Sequence, residues 1–304
     1  MKTQTRRTFL KALGLSGLAL QASSFINKED APLLSFSTLG CPDWSFDKIL
    51  DFAITHQYNG IEIRGIQREL DLTKTPQFDT DEHISNTKKL IADKGLKIVD
   101  LGSSAALHLK EGSERQKNLD EAKRFIDLAN KINCPYVRVF PNNLPKDKKQ
   151  ETMELIAKGL KDLAGYAKGG NVTVLMETHG ELTKVADIEK VMQMAADKHN
   201  GLVWDIVNMW SVTKEDPSLV YEKLKKYIHH THIKDLKMVD GKEEYTLLGR
   251  GEAPVFKAID ILRKNGYKGY YSFEWEKLWH PEIPEPEIAL ADYPVAMKAH
   301  FKNY

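Results

Sequence analysis

Beyond residue 32 the chain repeats one arrangement: a short apolar run, then a longer segment whose apolar positions recur every three or four residues. The runs are LLSFST (33–38), GIEIR (60–64), KIVDLG (97–102), YVRVF (136–140), VTVLME (172–177), GLVWD (201–205), IHHTHI (228–233) and GYYSFEW (269–275). Each is too short for a helix and suits a strand buried on both faces, as in a parallel sheet. The intervening segments, such as SERQKNLDEAKRFIDLANKI (113–132) and ETMELIAKGLKDLAGYAK (151–168), read as amphipathic helices. In the second, Met153, Leu155, Leu160 and Leu163 form the expected apolar stripe. Glycine at 60, 95, 170, 201 and 269 stands at helix-to-strand joints. Eight strand-then-helix units without a composition break predict one α/β domain, a (β/α)8 TIM barrel. An open doubly wound sheet would usually carry a glycine-rich phosphate loop after its first strand, and STLGCPDWSF has no G-x-G-x-x-G.

The segment before this pattern is different. TRRTFLKALGLSGLALQASS (5–24) has a basic start with paired Arg6 and Arg7, then an apolar stretch, then small residues. It reads as an export leader over 1–30, similar to the twin-arginine type, with cleavage near 22–24 and the barrel domain over 31–304. The expected location is the periplasm. The apolar stretch at 12–22 falls short of the roughly 20 residues that a stable membrane span needs.

Charge narrows the partners. With 44 basic and 43 acidic residues and a formal net charge of +1, no basic footprint for nucleic acid stands out. A small, neutral or mildly charged ligand is the expected partner, which the resemblance given below narrows to a sugar or keto-sugar, and a homo-oligomeric state is left open. Cys41 and Cys134 are too few and too far apart for a disulfide framework or a zinc knuckle.

Candidate chemistry lies at the strand ends, where a barrel of this kind places its active site. Glu62 and Arg64 end the second run, Arg138 lies in the fourth, and Glu177, Asp205, His232 and Glu274 come at or near the ends of the last four. A single strand-end carboxylate is commonly a helix N-cap or a loop ion pair. Four successive strands giving Glu, Asp, His and Glu are harder to explain that way, because three carboxylates converging dry and unpaired would repel one another. One divalent ion would remove the conflict. The oxygen and nitrogen donors suit Mn²⁺, Mg²⁺, Co²⁺ or Zn²⁺.

The segment YIHHTHIKDL (227–236) fits the same picture. Alternation puts His230, His232 and Lys234 on one face and His229, Thr231 and Ile233 on the other. His232, at the strand end, is the expected ligand; His230 lies deeper, and Lys234 is placed to hold a substrate oxygen. Glu62, His108, Arg138, His179 and Arg250 occupy strand-end or loop positions able to contact hydroxyls. Trp275, Trp279 and His280 offer either a sugar-stacking wall or ordinary packing.

Taken together and in this order, VLMETHG, VWDIVNMW, HTHIKD, LLGRGE and GYYSFEWE resemble the sugar phosphate isomerase/epimerase superfamily with the xylose isomerase-like barrel. The resemblance implies that Glu177, Asp205, His232 and Glu274 are the four metal ligands. It also implies that Glu177 and Glu274 transfer the proton in a ketose isomerase or epimerase acting α to a carbonyl through an enediolate. Two positions depart from the family pattern. Asn208 stands where sugar epimerases often have the histidine of Asp-x-x-His, and Met238 stands where ketose 3-epimerases commonly carry a substrate-binding arginine. Substrate contacts at Asn208 are therefore expected to differ. Within the same resemblance, a lyase or dehydratase performing β-elimination on 3-keto-sugars or 3-keto-glycosides is the alternative. A non-catalytic sugar-binding barrel is a second one. The superfamily's apurinic-site endonucleases use a larger ligand set and a basic DNA-binding face, which the neutral charge disfavours.

Overall fold

The structure is a computed structural model and describes residues 31–302; the expected leader lies outside the described residues. Eight parallel strands close into a barrel: β1 (Leu34–Ser37), β2 (Gly60–Ile63), β3 (Lys97–Ala106), β4 (Tyr136–Phe140), β5 (Thr173–Glu177), β6 (Asn200–Asp205), β7 (Ile228–Ile233) and β10 (Tyr271–Phe273). β1 pairs with both β2 and β10, so the sheet has no free edge. Each apolar run of the sequence forms one barrel strand. Around them lie α1 (Phe46–Thr55), α2 (Asp81–Asp93), α3 (Ser113–Ile132), α4 (Lys149–Ala167), α5 (Val185–Met194), α6 (Ile206–Thr213), α7 (Pro217–Leu224), α8 (Val255–Lys264) and α9 (Pro286–Lys302). The stripe of α4 is slightly different from expectation: Met153, Ile156, Leu160 and Leu163 are buried, whereas Leu155 is only half-buried. No helix among the described residues is long and apolar enough to cross a membrane.

Strand alternation sorts the side chains into two compartments. Ile61, Ile63, Val137, Val139, Val174 and Met176 belong to the main hydrophobic core. Glu62, Arg138 and Glu177 alternate with them, are fully buried, and face the barrel interior. Barrel interiors are usually packed with branched apolar residues. Here Ser35, Glu62, Asp100, Arg138, His230 and Ser272 are all buried as well, so much of the interior is polar.

The pattern reading missed one pair of strands. β8 (Asp235–Val239) and β9 (Lys242–Thr246) form an antiparallel hairpin inserted between β7 and α8. Its turn is Asp240-Gly241, both with positive φ, 50° and 76°. Asp-Gly is a strong short-range hairpin signal, because such turns need left-handed backbone at both central positions.

Candidate metal centre and its surroundings

Glu177, Asp205, His232 and Glu274 meet at the C-terminal ends of β5, β6, β7 and β10, each offering one ligand atom, with all four atoms within 4.8 Å of one another. Register explains part of this: Asp205 lies beside His232 across β6 and β7, and Ser272 lies beside His232 across β7 and β10. His232 Nδ1 is 3.2 Å from Glu274 Oε1, 3.7 Å from Glu177 Oε1 and 3.9 Å from Asp205 Oδ2.

Asp205 does two jobs with its two oxygens. Oδ1 accepts from the backbone N–H groups of Val207 and Asn208, capping α6, while Oδ2 turns to the cluster. One side chain thus caps α6 and still turns an oxygen toward the cluster. His232 is fixed from below. Glu62 Oε2 lies 3.0 Å from His232 Nε2, 3.1 Å from His230 Nε2, and accepts from Ser272 Oγ at 3.0 Å. A carboxylate that accepts from Nε2 leaves Nδ1 turned to the cluster and able to coordinate, an arrangement typical of metal-ligating histidines. Glu62, expected to contact substrate hydroxyls, is fully buried beneath His232 and contacts the two imidazoles.

Charged neighbours flank the cluster. Arg138 Nε is 3.2 Å from Glu177 Oε2, its Nη1 donates to the Ser103 carbonyl at 2.9 Å, and its guanidinium lies 3.8 Å over the Phe140 ring. Arg64 packs beside Arg138 across Gly102, where a Cβ would come within 2.8 Å of both side chains. Lys234 Nζ donates to Glu274 Oε2 at 2.8 Å and Glu276 Oε1 at 2.6 Å, and forms an ion pair with Asp205 Oδ2 at 2.8 Å. Lys234, expected to hold a substrate oxygen, thus lies among three carboxylates. Asn208 Nδ2 reaches Glu177 Oε1 at 3.4 Å.

The protonation pattern follows from these contacts. Burial alone would depress the His232 imidazolium, but Glu274, Glu62 and Glu177 outweigh it and raise its pKa well above the usual range. Burial likewise opposes the Glu274 and Glu62 carboxylates, yet His232 with Lys234, and His232 with His230, hold them well below. Burial and the neighbouring Glu274 and Glu177 push Asp205 up to about 7 against the pull of Lys234. One aspartate in the cluster is therefore disfavoured as an anion, first by burial and then by its like-charged neighbours.

A divalent cation fits this set. His232 Nδ1, Asp205 Oδ2 and Glu177 Oε2 are buried with ion-pair neighbours but no aligned hydrogen bond, which leaves lone pairs that a further ligand could take up.

The remaining expected site residues are dispersed. His179 sits above Phe140, ring centroids 4.6 Å apart, with Nδ1 3.1 Å from Asn142 Oδ1. His108 is half-buried in the loop after β3, its Nδ1 without a partner. Arg250 is placed apart from the cluster: its side chain is 59% exposed and pairs with Asp292 of α9 at 2.7 Å. Its motif has a structural role instead, since Asp235 Oδ2 accepts from the N–H groups of Gly249 and Gly251. Any Cβ at Gly251 would fall 2.0 Å from Asp235 Oδ1, which explains glycine there. Trp275 is packed in the core with Nε1 bonded to the Pro284 carbonyl, whereas Trp279 is exposed. The sequence reading missed Tyr245, delivered by the hairpin, and Asp100, whose only signal was a lone acid in an apolar run.

These features define a xylose isomerase-like barrel with a polar, metal-competent mouth. The chain belongs to the xylose isomerase-like TIM barrel family, whose sequence profile matches residues 50–293. Among solved structures it is similar to the apo 3-keto-D-glucoside 4-epimerase YcjR from E. coli, with 14% identity over 88% of this chain and 100% of that one, TM-score 0.69. It is also similar to the probable 3-DHS dehydratase AsbF from Bacillus anthracis, with 17% identity over 87% and 98%, TM-score 0.69. The IOLI protein with a bound zinc atom matches at 15% identity over 89% and 98%, TM-score 0.72. At these identities the likeness is one of fold. No curated protein sequence matches the chain.

Proposed function

We propose that this protein is a divalent-metal-dependent sugar isomerase or epimerase that removes and returns a proton α to the carbonyl of a sugar or keto-sugar. The observation that carries the reading is the convergence of Glu177, Asp205, His232 and Glu274 in one buried cluster. Those four residues would hold the ion, which when bound supplies Lewis-acid polarisation of the carbonyl. The protein's own residues do the rest. Glu177 and Glu274 come from β5 and from the end of β10 and carry carboxylates able to accept a proton and give it back. Arg138 and Asn208 orient Glu177, and Lys234 orients Glu274.

A lyase acting by β-elimination on 3-keto-sugars is the second reading, favoured by the unlike partners of the two glutamates. An exported protein meets few sugar phosphates, so the Arg6-Arg7 leader supports an unphosphorylated substrate in the periplasm; Lys at both positions should leave precursor in the cytoplasm.

The deciding experiment incubates metal-replete protein with ketoses and 3-keto-glycosides in D₂O and weighs the products. Deuterium gain without mass loss supports isomerisation or epimerisation, whereas loss of water or aglycone supports elimination. No exchange with any substrate, despite tight binding, would leave a sugar-binding barrel.

A further inference from the structure

The inserted β8–β9 hairpin brings one side chain to the centre. Tyr245 of β9 donates its hydroxyl to Glu276 Oε1 at 3.1 Å, and its ring packs against His280 with centroids 4.9 Å apart. The same Glu276 oxygen accepts from Lys234 Nζ at 2.6 Å. Lys234 in turn reaches Glu274 Oε2 and Asp205 Oδ2, each at 2.8 Å. An unbroken set of contacts thus joins a surface hairpin to two candidate metal ligands.

We propose that Tyr245 is a positioning residue: through Glu276 it draws Lys234 outward, away from the candidate ligands, and so sets how strongly the lysine charge opposes a dication at Asp205 and Glu274. The inference rests on the metal reading above. Lys234 is almost wholly buried, so water does little to screen its charge. A fixed positive charge touching two ligand carboxylates lowers their affinity for a second cation, since like charges a few ångströms apart repel strongly away from bulk solvent. Glu276 offsets that charge from the outer side, where its side chain remains 16% exposed. Tyr245 adds no charge; it fixes the Glu276 carboxylate in the one place where it can hold the lysine back. The long lysine stem has several rotamers, and losing this tether would let the ammonium settle further onto Asp205 and Glu274.

The test is calorimetric titration of the full metal-stripped protein with Mn²⁺, with thermal melts to confirm folding. Lys234→Met should bind Mn²⁺ about tenfold or more tightly than the parent, because the opposing charge is gone. Tyr245→Phe, a mild change, should bind about threefold more weakly, and this effect should vanish in the Lys234→Met background if Tyr245 acts through the lysine. A residue that merely supported the hairpin would weaken binding equally in both backgrounds, and that result overturns the proposal. So does unchanged or weaker binding by Lys234→Met, or no change in Tyr245→Phe. A parent protein with no Mn²⁺ binding overturns the metal reading itself, which the variant results leave standing if the parent binds.

Discussion

The two glutamates of the centre are held in different ways. On one side Glu177 lies among strand residues: Arg138 of β4 pairs with Oε2, and Asn208 at the start of α6 makes a long 3.4 Å contact with Oε1. On the other side Glu274 follows the short strand β10 and depends on Lys234, which is itself tied to Glu276 and the hairpin residue Tyr245. The first side is built into the barrel wall and has a planar guanidinium as its partner. The second is built on an insertion and a lysine. Equivalent chemistry at the two carboxylates is therefore not expected. Glu274 Oε2 is engaged by a short charged hydrogen bond, so its lone pairs are less available, whereas Glu177 Oε1 has only a weak donor.

The largest test of that difference is replacement of each glutamate by glutamine. The amide keeps an oxygen for coordination but cannot take up a proton near neutral pH. Glu177→Gln should lower turnover by about 10² to 10⁴-fold and stop exchange of the substrate's α proton with solvent. Glu274→Gln should lower turnover strongly too, yet retain measurable exchange, because the freer carboxylate survives. Equal loss of exchange in both metal-loaded variants, measured by NMR in D₂O, would show that the two sides act alike.

Between the sides stands His232, and the second test separates ligand from support. His232→Ala should abolish stoichiometric metal, read by elemental analysis of dialysed protein. Glu62→Gln leaves the ligand in place and removes only the charged acceptor at Nε2, so Mn²⁺ affinity should fall by about 10 to 100-fold. Identical metal content in His232→Ala and the parent would remove His232 from the ligand set.

A smaller effect is expected from Arg138→Lys. Lysine keeps the charge but cannot pair with Glu177 and the Ser103 carbonyl while lying flat on Phe140. Turnover should fall about tenfold, of the order expected for one charged hydrogen bond, with Mn²⁺ affinity nearly unchanged. A tenfold fall in metal affinity instead would mean that Arg138 shapes the ligand geometry.

How much of this was legible in the sequence follows from what each feature depends on. All eight strands announced themselves because a buried parallel strand must be apolar on its outer face, and Ile61, Ile63, Val137 and Val139 are. The cluster was legible because strand ends converge in a closed barrel, so position along the chain translates into position at the mouth. Partnership was not legible. Glu62 and Arg250 look alike as polar residues near strand ends, but one ends under His232 and the other on Asp292, a choice made by side-chain direction and by helices far off in sequence. Lys234 followed its face correctly, and still its partners Glu276 and Tyr245 come from segments that no local pattern links to it. Asp240-Gly241 did signal the hairpin; the run of charged residues around it masked the alternation.

Below both sides lies Asp100, the in-register neighbour of Glu62 on β3, fully buried with both carboxylate oxygens lacking a hydrogen-bond partner. Burial, reinforced by Glu62, pushes its pKa up to about 8, against the opposing pull of Arg138. In the unfolded chain an aspartate titrates near 3.9, so between roughly pH 4 and pH 8 the folded state binds more protons than the unfolded one. Stability should therefore fall as pH rises through that window, the reverse of the usual ion-paired carboxylate. Asp100→Asn mimics the neutral form at nearly the same volume and removes the titration. At pH 8 the variant should melt several degrees above the parent, and at pH 5 the two should nearly coincide. Were the variant instead less stable at pH 8, Asp100 would be an ionised partner of Arg138, and the floor of the barrel would belong to the same charged network as the Glu177 side.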